Sequence, residues 1–515
     1  MSLVSVWSLA LALDPDPGLA RAEIYRDHRL VEVWVEDADV LARLLALEVD
    51  PWQETPRPGW VPLRVSPQVW PALLSGPWPL HVLDEDIAAS VEQERARLAL
   101  RTPSQGGATF FTDFRDLDEI DAWIDGYVAA YPELASVAVV GNSIEGRSIR
   151  ALRIAAPGDD PRPGVIVTAG QHAREWVSIS SALYVADQLA SRADEPEIAA
   201  VLAAISLTIV PVVNPDGYAY TWTDERLWRK NRRDGVGVDT NRNWGVGWGG
   251  EGASLDPVAE NYAGSAAFSE PETEAMREWI EGDDSLVAHV DVHSFGELVL
   301  YPWGYLYEAT DDDAMLSGTA VAIADAMSAQ GESYTPLQGV NLYPAAGNAI
   351  DWTYGAAGLM AYTMELRPSF DAPNADQGFV LAPDQIAPVG DEVLAGLWVV
   401  LQAAAMPGEG GDTSTGGADT TGAAGSSTGD VAATSTGSPG TTGGGNESSG
   451  AGTTEATTAA SADGTSSGSG ASAEGDAGGC SCDQRAAPPP WAASWLLLAL
   501  SRRRRVRRAA RSSCR

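Results

Sequence analysis

Val165-Ile166-Val167-Thr168-Ala169-Gly170-Gln171-His172-Ala173-Arg174-Glu175-Trp176 decides the reading of this chain. Val165 to Ala169 is an apolar, β-branched run of strand length. Gly170 supplies a turn, and Trp176 to Leu189 continues as a helix-like stretch. A His and a Glu three apart, placed where a strand hands over to a helix, point toward one centre; a single strand or one helix face explains that spacing less well. Catalytic zinc takes three protein ligands and keeps one position open. A third candidate, His293, ends the apolar run Leu286-Val287-Ala288-His289-Val290-Asp291-Val292. His-x-x-Glu alone is a weak signal, so the case rests on what lies downstream.

Downstream lie Arg226-Leu227-Trp228-Arg229-Lys230-Asn231-Arg232 and Gly237-Val238-Asp239-Thr240-Asn241-Arg242-Asn243-Trp244. Then come His293-Ser294-Phe295, Leu298-Val299-Leu300-Tyr301-Pro302-Trp303-Gly304-Tyr305, Leu342-Tyr343 ahead of Ile350-Asp351-Trp352, and Thr363-Met364-Glu365-Leu366-Arg367. In this order and spacing the blocks resemble the zinc metallocarboxypeptidases of the carboxypeptidase A/B family, over roughly Phe110 to Met406.

The resemblance implies a set of roles. His172, Glu175 and His293 become the zinc ligands, and the metal would activate a water and polarise the scissile carbonyl. Asp239 matches the aspartate that supports the first histidine, and Glu365, set in an otherwise apolar strand, matches the general base. Arg229 matches the arginine that steadies the oxyanion. Asn241 and Arg242 match the pair that grips the substrate's free carboxylate, with Arg174 as a secondary contact and Tyr343 as the tyrosine that closes over it. Ile350 stands where an acidic residue would select C-terminal Lys or Arg, and Gly304 leaves the pocket floor open. The expected substrates are therefore peptides ending in apolar or aromatic residues, although Asn348 and Gln338 add polarity nearby. Phe295 replaces a family tyrosine. His289, four before His293, matches no family position and reads as structural.

Composition narrows the rest. The 515 residues carry a net charge of −38, which argues against nucleic acid and against an anionic membrane surface as partners. The three cysteines, Cys480, Cys482 and Cys514, lie outside the expected catalytic region, so neither a disulfide framework nor a thiolate metal site is expected there. Stability must then come from packing and from any bound calcium, whose ligands the sequence does not identify.

The fold expected is α/β: a mixed, mostly parallel central sheet with helices on both faces, preceded by a small α+β antiparallel-sheet module. Residues 1–22 read either as a secretory leader, with the apolar run Leu3 to Leu13 and the Ala20-Arg21-Ala22 site, or as an unstructured leader. Residues 23–101 alternate strand-like and helical segments, with Glu23 to Arg26 read as a strand, and end in a charged helix. This order is similar to the activation segment of secreted procarboxypeptidases, which implies cleavage by an activating protease near Arg95, Arg97 or Arg101. Residues 102–109 form a linker and 110–406 the catalytic domain. Residues 407–479, rich in Gly, Ser and Thr, lack the apolar surface to fold. Residues 480–515 combine Cys480-Ser481-Cys482, the apolar stretch Trp491 to Leu500 and an arginine cluster. They resemble the sorting tails of myxobacterial surface proteins, which implies a secreted, surface-linked protein handled by sorting machinery; the catalytic unit is expected to be monomeric.

Two other functions compete. A cell-wall peptide hydrolase of the same superfamily is disfavoured by the A/B-type motifs and the activation segment. A binding-only surface protein is disfavoured because it has no need of Glu365 beside an intact ligand set.

Overall fold

The structure, a computed structural model, describes residues 19–47, 49–52, 59–101, 109–158, 161–369 and 378–405, all within one unit of the chain. Most of the expected leader, all but Thr109 of the linker, and the expected stalk and sorting tail lie outside the described residues.

The N-terminal module is a four-stranded antiparallel sheet in the order β2-β3-β1-β4, with β1 Arg29–Val35, β2 Asp50–Pro51, β3 Gly59–Val65 and β4 Leu80–Asp84. Its valines at alternate positions, Val31, Val33 and Val35 facing Val61, Leu63 and Val65, form one buried layer, as the period of two requires. Glu23 to Arg26 is not a strand: Ala22–Tyr25 is a 3₁₀ turn, which buries Tyr25 so that its hydroxyl accepts from Leu227 N at 2.9 Å. A tertiary anchor overrides the local alternation here. The helix Ile87–Leu100 closes the module.

The larger region, which follows residue 109, is built on an eight-stranded mixed sheet in the order β11-β10-β12-β9-β7-β8-β6-β5. Its strands are β5 Ala135–Asn142, β6 Ser148–Ile154, β7 Gly164–Ala169, β8 Ser206–Val210, β9 Leu286–Ser294, β10 Leu298–Tyr301, β11 Thr335–Gln338 and β12 Met360–Leu366. The pairs at its centre, β12 with β9, β9 with β7 and β7 with β8, are parallel. Every residue of β7, β8 and β12 is buried, which is what covering helices on both faces demand. On one face Val165, Val167, Ala288, Val290, Met360 and Tyr362 pack with the helices Trp176–Ser191, Asp313–Ser328 and Ile386–Ala405. On the other, Ile166 and Val210 pack with Met276 and Ile280 of the helix Pro271–Gly282 and with Trp352. The turn between β5 and β6 falls at Ser143–Arg147, where Gly146 adopts φ 87°, not at Gly141-Asn142.

Helix starts follow their sequences. Asp116 caps Leu117–Ala130, its side chain accepting from Glu119 N while Glu119 reaches back to Asp116 N. Ile386–Ala405 with its preceding turn is the one described segment long and apolar enough to cross a membrane. Its buried face, including Val393, Leu397 and Leu401, belongs to the core under the sheet.

Candidate metal centre and active-site cleft

The site sits at the carboxyl ends of the central parallel strands. β7 ends at Ala169, and the turn through Gly170 (φ 64°) delivers His172 and Glu175 just ahead of the helix that starts at Trp176. A side chain at 170 would meet Ile179 and Pro211, so the hand-over requires glycine. His293 comes from β9, and Glu365 is its register partner on β12, so the two lie side by side on one face.

The ligand atoms of His172, Glu175 and His293 all lie within 4.8 Å of one another, and all three residues are buried. His172 Nδ1 is 2.7 Å from Glu175 Oε1, and His293 Nδ1 is 3.0 Å from Glu175 Oε2 and 3.0 Å from His172 Nδ1. Two imidazole nitrogens so placed need a cation or a proton between them. Ligands at ~2 Å from a tetrahedral zinc stand about 3.3 Å apart, so two imidazoles and one carboxylate converging in this way fit the ion. Burial would raise the Glu175 carboxyl, but His172 and then His293 outweigh it and bring it down to about 2.

Asp239 stands behind His172, Oδ1 to Nε2 at 3.3 Å, and accepts from Arg229 Nη2 at 2.8 Å. Burial alone would push its carboxyl up; the Arg229 charge wins and holds it well below the usual range. Asn241 places Nδ2 3.5 Å from His293 Nε2 and accepts from Ala349 N at 2.9 Å. Arg242 is buried beside it, donating to Gly252 O and Asn241 O at 3.2 and 2.8 Å. Ile350 packs with Leu300, Leu342, Tyr343 and Ala345 in one apolar cluster. Gly304 N donates to Asp351 Oδ1 at 2.8 Å, and a Cβ on Gly304 would lie 2.7 Å from Asn348 Nδ2. Glu175, Arg229, Tyr343 and Glu365 line one narrow cleft, together with Trp52, Phe295 and Phe379.

Sequence reasoning did not name Trp52, which the N-terminal module sends into this cleft, or Asp50, which it sets on Arg174. Trp52 lies in contact with Phe295 and Phe379, ring centroids 6.2 and 5.2 Å away. Asp50 accepts from Arg174 Nη1 at 3.3 Å and from Arg64 Nε at 2.8 Å, so the module holds the Arg174 guanidinium. Arg226 donates to Glu94 of the module's last helix at 2.5 Å. These partners are far apart in sequence, and no local pattern announces them. Asp291, also unnamed, carried a signal: an acid inside an apolar strand, two residues before His293. Its carboxylate reaches His293 Nε2 at 2.9 Å. His289 is buried and lies outside the ligand cluster; burial lowers its imidazole to about 4, so it is neutral.

A carboxylate and two imidazoles at the ends of parallel strands, with an arginine and a second carboxylate lining the same cleft, define a metal-dependent hydrolase site. The family profile described as zinc carboxypeptidase matches residues 120–396, and the chain belongs to that family as a metallocarboxypeptidase. It is 38% identical over 300 residues to carboxypeptidase B of Astacus astacus, covering 56% of this chain and 96% of that protein. It is 34% identical over 371 residues to carboxypeptidase A2 of Rattus norvegicus, covering 69% and 87%. Carboxypeptidase A from Helicoverpa armigera superposes with a TM-score of 0.66 at 28% identity, over 74% of this chain and 98% of that one. Thrombin-activatable fibrinolysis inhibitor superposes with a TM-score of 0.67 at 25% identity, over 74% and 99%. The zinc cofactor, the fold and the action on peptide C-termini follow from the family.

Proposed function

We propose that this metallocarboxypeptidase is made as a secreted, surface-linked zymogen that removes apolar or aromatic C-terminal residues once its N-terminal module is cut away. The observation that carries the reading is Glu365 in register with His293, lining one cleft with Glu175, Arg229 and Tyr343.

Arg242, Asn241 and Arg174 hold the substrate's terminal carboxylate, and Tyr343 closes over it. When bound, zinc lowers the pKa of water and polarises the scissile carbonyl. Glu365 takes a proton from the attacking water as its oxygen bonds to the carbonyl carbon. Arg229 faces the charge that develops on the carbonyl oxygen. Glu365 then returns the proton to the departing amine as the C–N bond breaks. The cluster of Ile350, Leu300 and Leu342 supports an apolar pocket for the terminal side chain.

Residues 23–101 act as the activation segment, with Trp52 in the cleft and Asp50 on Arg174 until an activating protease cuts near Arg95, Arg97 or Arg101. Residues 1–22 serve as the leader, 102–109 as the linker and 110–406 as the catalytic domain, which works as a monomer. Residues 407–479 serve as stalk and 480–515 as the tail read by sorting machinery.

The test is release of Phe, Leu, Lys or Glu from blocked dipeptides by the full chain, before and after limited trypsin cleavage, with and without a zinc chelator. Chelator-sensitive release of Phe and Leu that appears only after cleavage supports the reading. Release of Lys in preference would overturn the pocket assignment, and full activity before cleavage would overturn the zymogen.

A further inference from the structure

Asp291 lies two residues before His293 on β9, so the strand's period of two puts both on one face. Its register partner on β7 is Thr168. Thr168 Oγ1 donates to Asp291 Oδ1 at 2.6 Å, and Gln171 Nε2 donates to Oδ2 at 2.5 Å. His293 Nε2 meets the same Oδ2 at 2.9 Å, which leaves Nδ1 as the ring nitrogen turned toward His172 and Glu175. Asp291 is fully buried, and among the described residues no arginine or lysine pairs with it. A buried carboxylate without a cation is costly. Asp239, the corresponding acid behind His172, differs: it has Arg229.

We propose that Asp291 is the positioning residue for His293, accepting the Nε2 proton so that Nδ1 stands bare toward zinc, with the bound cation balancing its charge through the ring. This rests on the reading of His172, Glu175 and His293 as the zinc ligands. Asn241 Nδ2 stands 3.5 Å from the same Nε2, a weaker contact than the carboxylate at 2.9 Å, and the other neighbours fix where each proton lies. Thr168 has a single hydroxyl proton, which goes to Asp291, so Thr168 accepts from His289 Nε2 at 2.7 Å. His289 is then bare at Nδ1, where Thr353 Oγ1 stands 3.0 Å away. Gln171 is oriented by Trp244 Nε1, which donates to its Oε1 at 3.2 Å, so its amide can only donate to Asp291. Its backbone carbonyl accepts from Thr240 Oγ1 at 3.0 Å. The residue that immediately precedes His172 therefore also holds the acid that orients His293. The two histidine ligands are set by one connected network.

The test is the zinc dissociation constant of the full chain, stripped of metal and titrated against a chromophoric chelator. Asp291→Asn keeps an acceptor of the same shape and removes the charge; its dissociation constant is expected to rise about 10–100-fold. Asp291→Ala removes both and is expected to rise at least as far. The melting midpoint of the metal-free Asn variant is expected to fall by less than that of its zinc-loaded form, because the amide oxygen keeps an acceptor for Gln171 and His293 and only the loaded form also loses zinc affinity. An Asn variant that binds zinc as tightly as wild type, or whose metal-free form is destabilised as much as its zinc-loaded form, overturns the proposal and leaves Asp291 a core residue. Should neither Asp291 variant fold, Thr168→Val, which frees the carboxylate without changing charge, decides on the same measurement: a several-fold rise supports the proposal and no change sinks it. A wild-type chain that binds no zinc would instead remove the ligand assignment on which it rests.

Discussion

Arg174 Nη1 lies 3.3 Å from both carboxylate oxygens of Asp50, which ties the residue between two metal-ligand positions to a strand more than a hundred residues earlier. Both partners are buried, and burial is overcome by Arg174 and Arg64 to hold the Asp50 carboxyl below its usual range. A hydrogen bond to a charged group contributes about 1.5–3 kcal/mol. Asp50→Ala should therefore raise the peptidase activity of the uncleaved chain roughly 10–100-fold. Activity after complete cleavage should be unchanged. Trp52→Ala should act in the same direction. Initial rates on a blocked dipeptide before and after trypsin check both.

Glu365→Gln in the cleaved enzyme should lower kcat by about 10²–10⁴-fold, the usual contribution of a positioned acid–base group. Zinc content should remain one ion per chain, since Glu365 lies outside the ligand cluster. Elemental analysis alongside steady-state kinetics distinguishes a lost base from a lost metal.

Ile350→Asp should turn the preference from Phe or Leu toward Lys or Arg. An unpaired carboxylate among Leu300, Leu342 and Ala345 rejects an apolar side chain and rewards a cationic one. The ratio of kcat/KM for the two substrate classes should invert, by about 10²-fold or more for a difference near 3 kcal/mol. A uniform fall on every substrate would assign Ile350 to packing alone.

Glu297 gives a pH prediction. Burial and then the neighbouring Glu332 raise its carboxyl to about 7. A carboxyl raised in the folded state holds a proton that the unfolded chain has already lost, so folding stability falls as pH climbs from about 4.5 to about 7. Glu297→Gln removes that loss. It should unfold at a higher urea concentration than wild type at pH 8, by about 1–2 kcal/mol, with the two curves meeting near pH 4. Equal midpoints at both pH values would falsify the assignment.

Much of this site was readable in one dimension. The order of the motifs named His293 and Glu365 through the family resemblance, while their adjacency came only with the register of β9 and β12; the strand–glycine–helix hand-over explains why His172 and Glu175 converge. What escaped is what the period does not encode. Trp52 reaches the cleft, and Asp50 reaches Arg174, only because one sheet docks on another domain. Glu23 to Arg26 alternates like a strand, yet a buried Tyr25 hydroxyl bonded to Leu227 fixes it as a turn. Asp291 stood in plain sight within its strand. Its meaning required the register with Thr168, which a single strand does not disclose.

The arginines at which cleavage is proposed are engaged in ion pairs. Arg97 is joined to Asp113, and Arg101 donates to Glu119 at 2.5 Å, both across to the catalytic side of the linker. Arg95 pairs within its own helix with Glu92 at 3.5 Å. A protease needs an extended segment, and a helix turn pinned at its end does not offer one. Under the proposed activation, maturation would be paced by how often the last turns of Ile87–Leu100 fray. The Arg97 and Arg101 pairs are both partly buried, so salt screens them less than open surface charges; under the proposed activation, brine would quicken the birth of the enzyme only modestly, and the clasp would hold across most media.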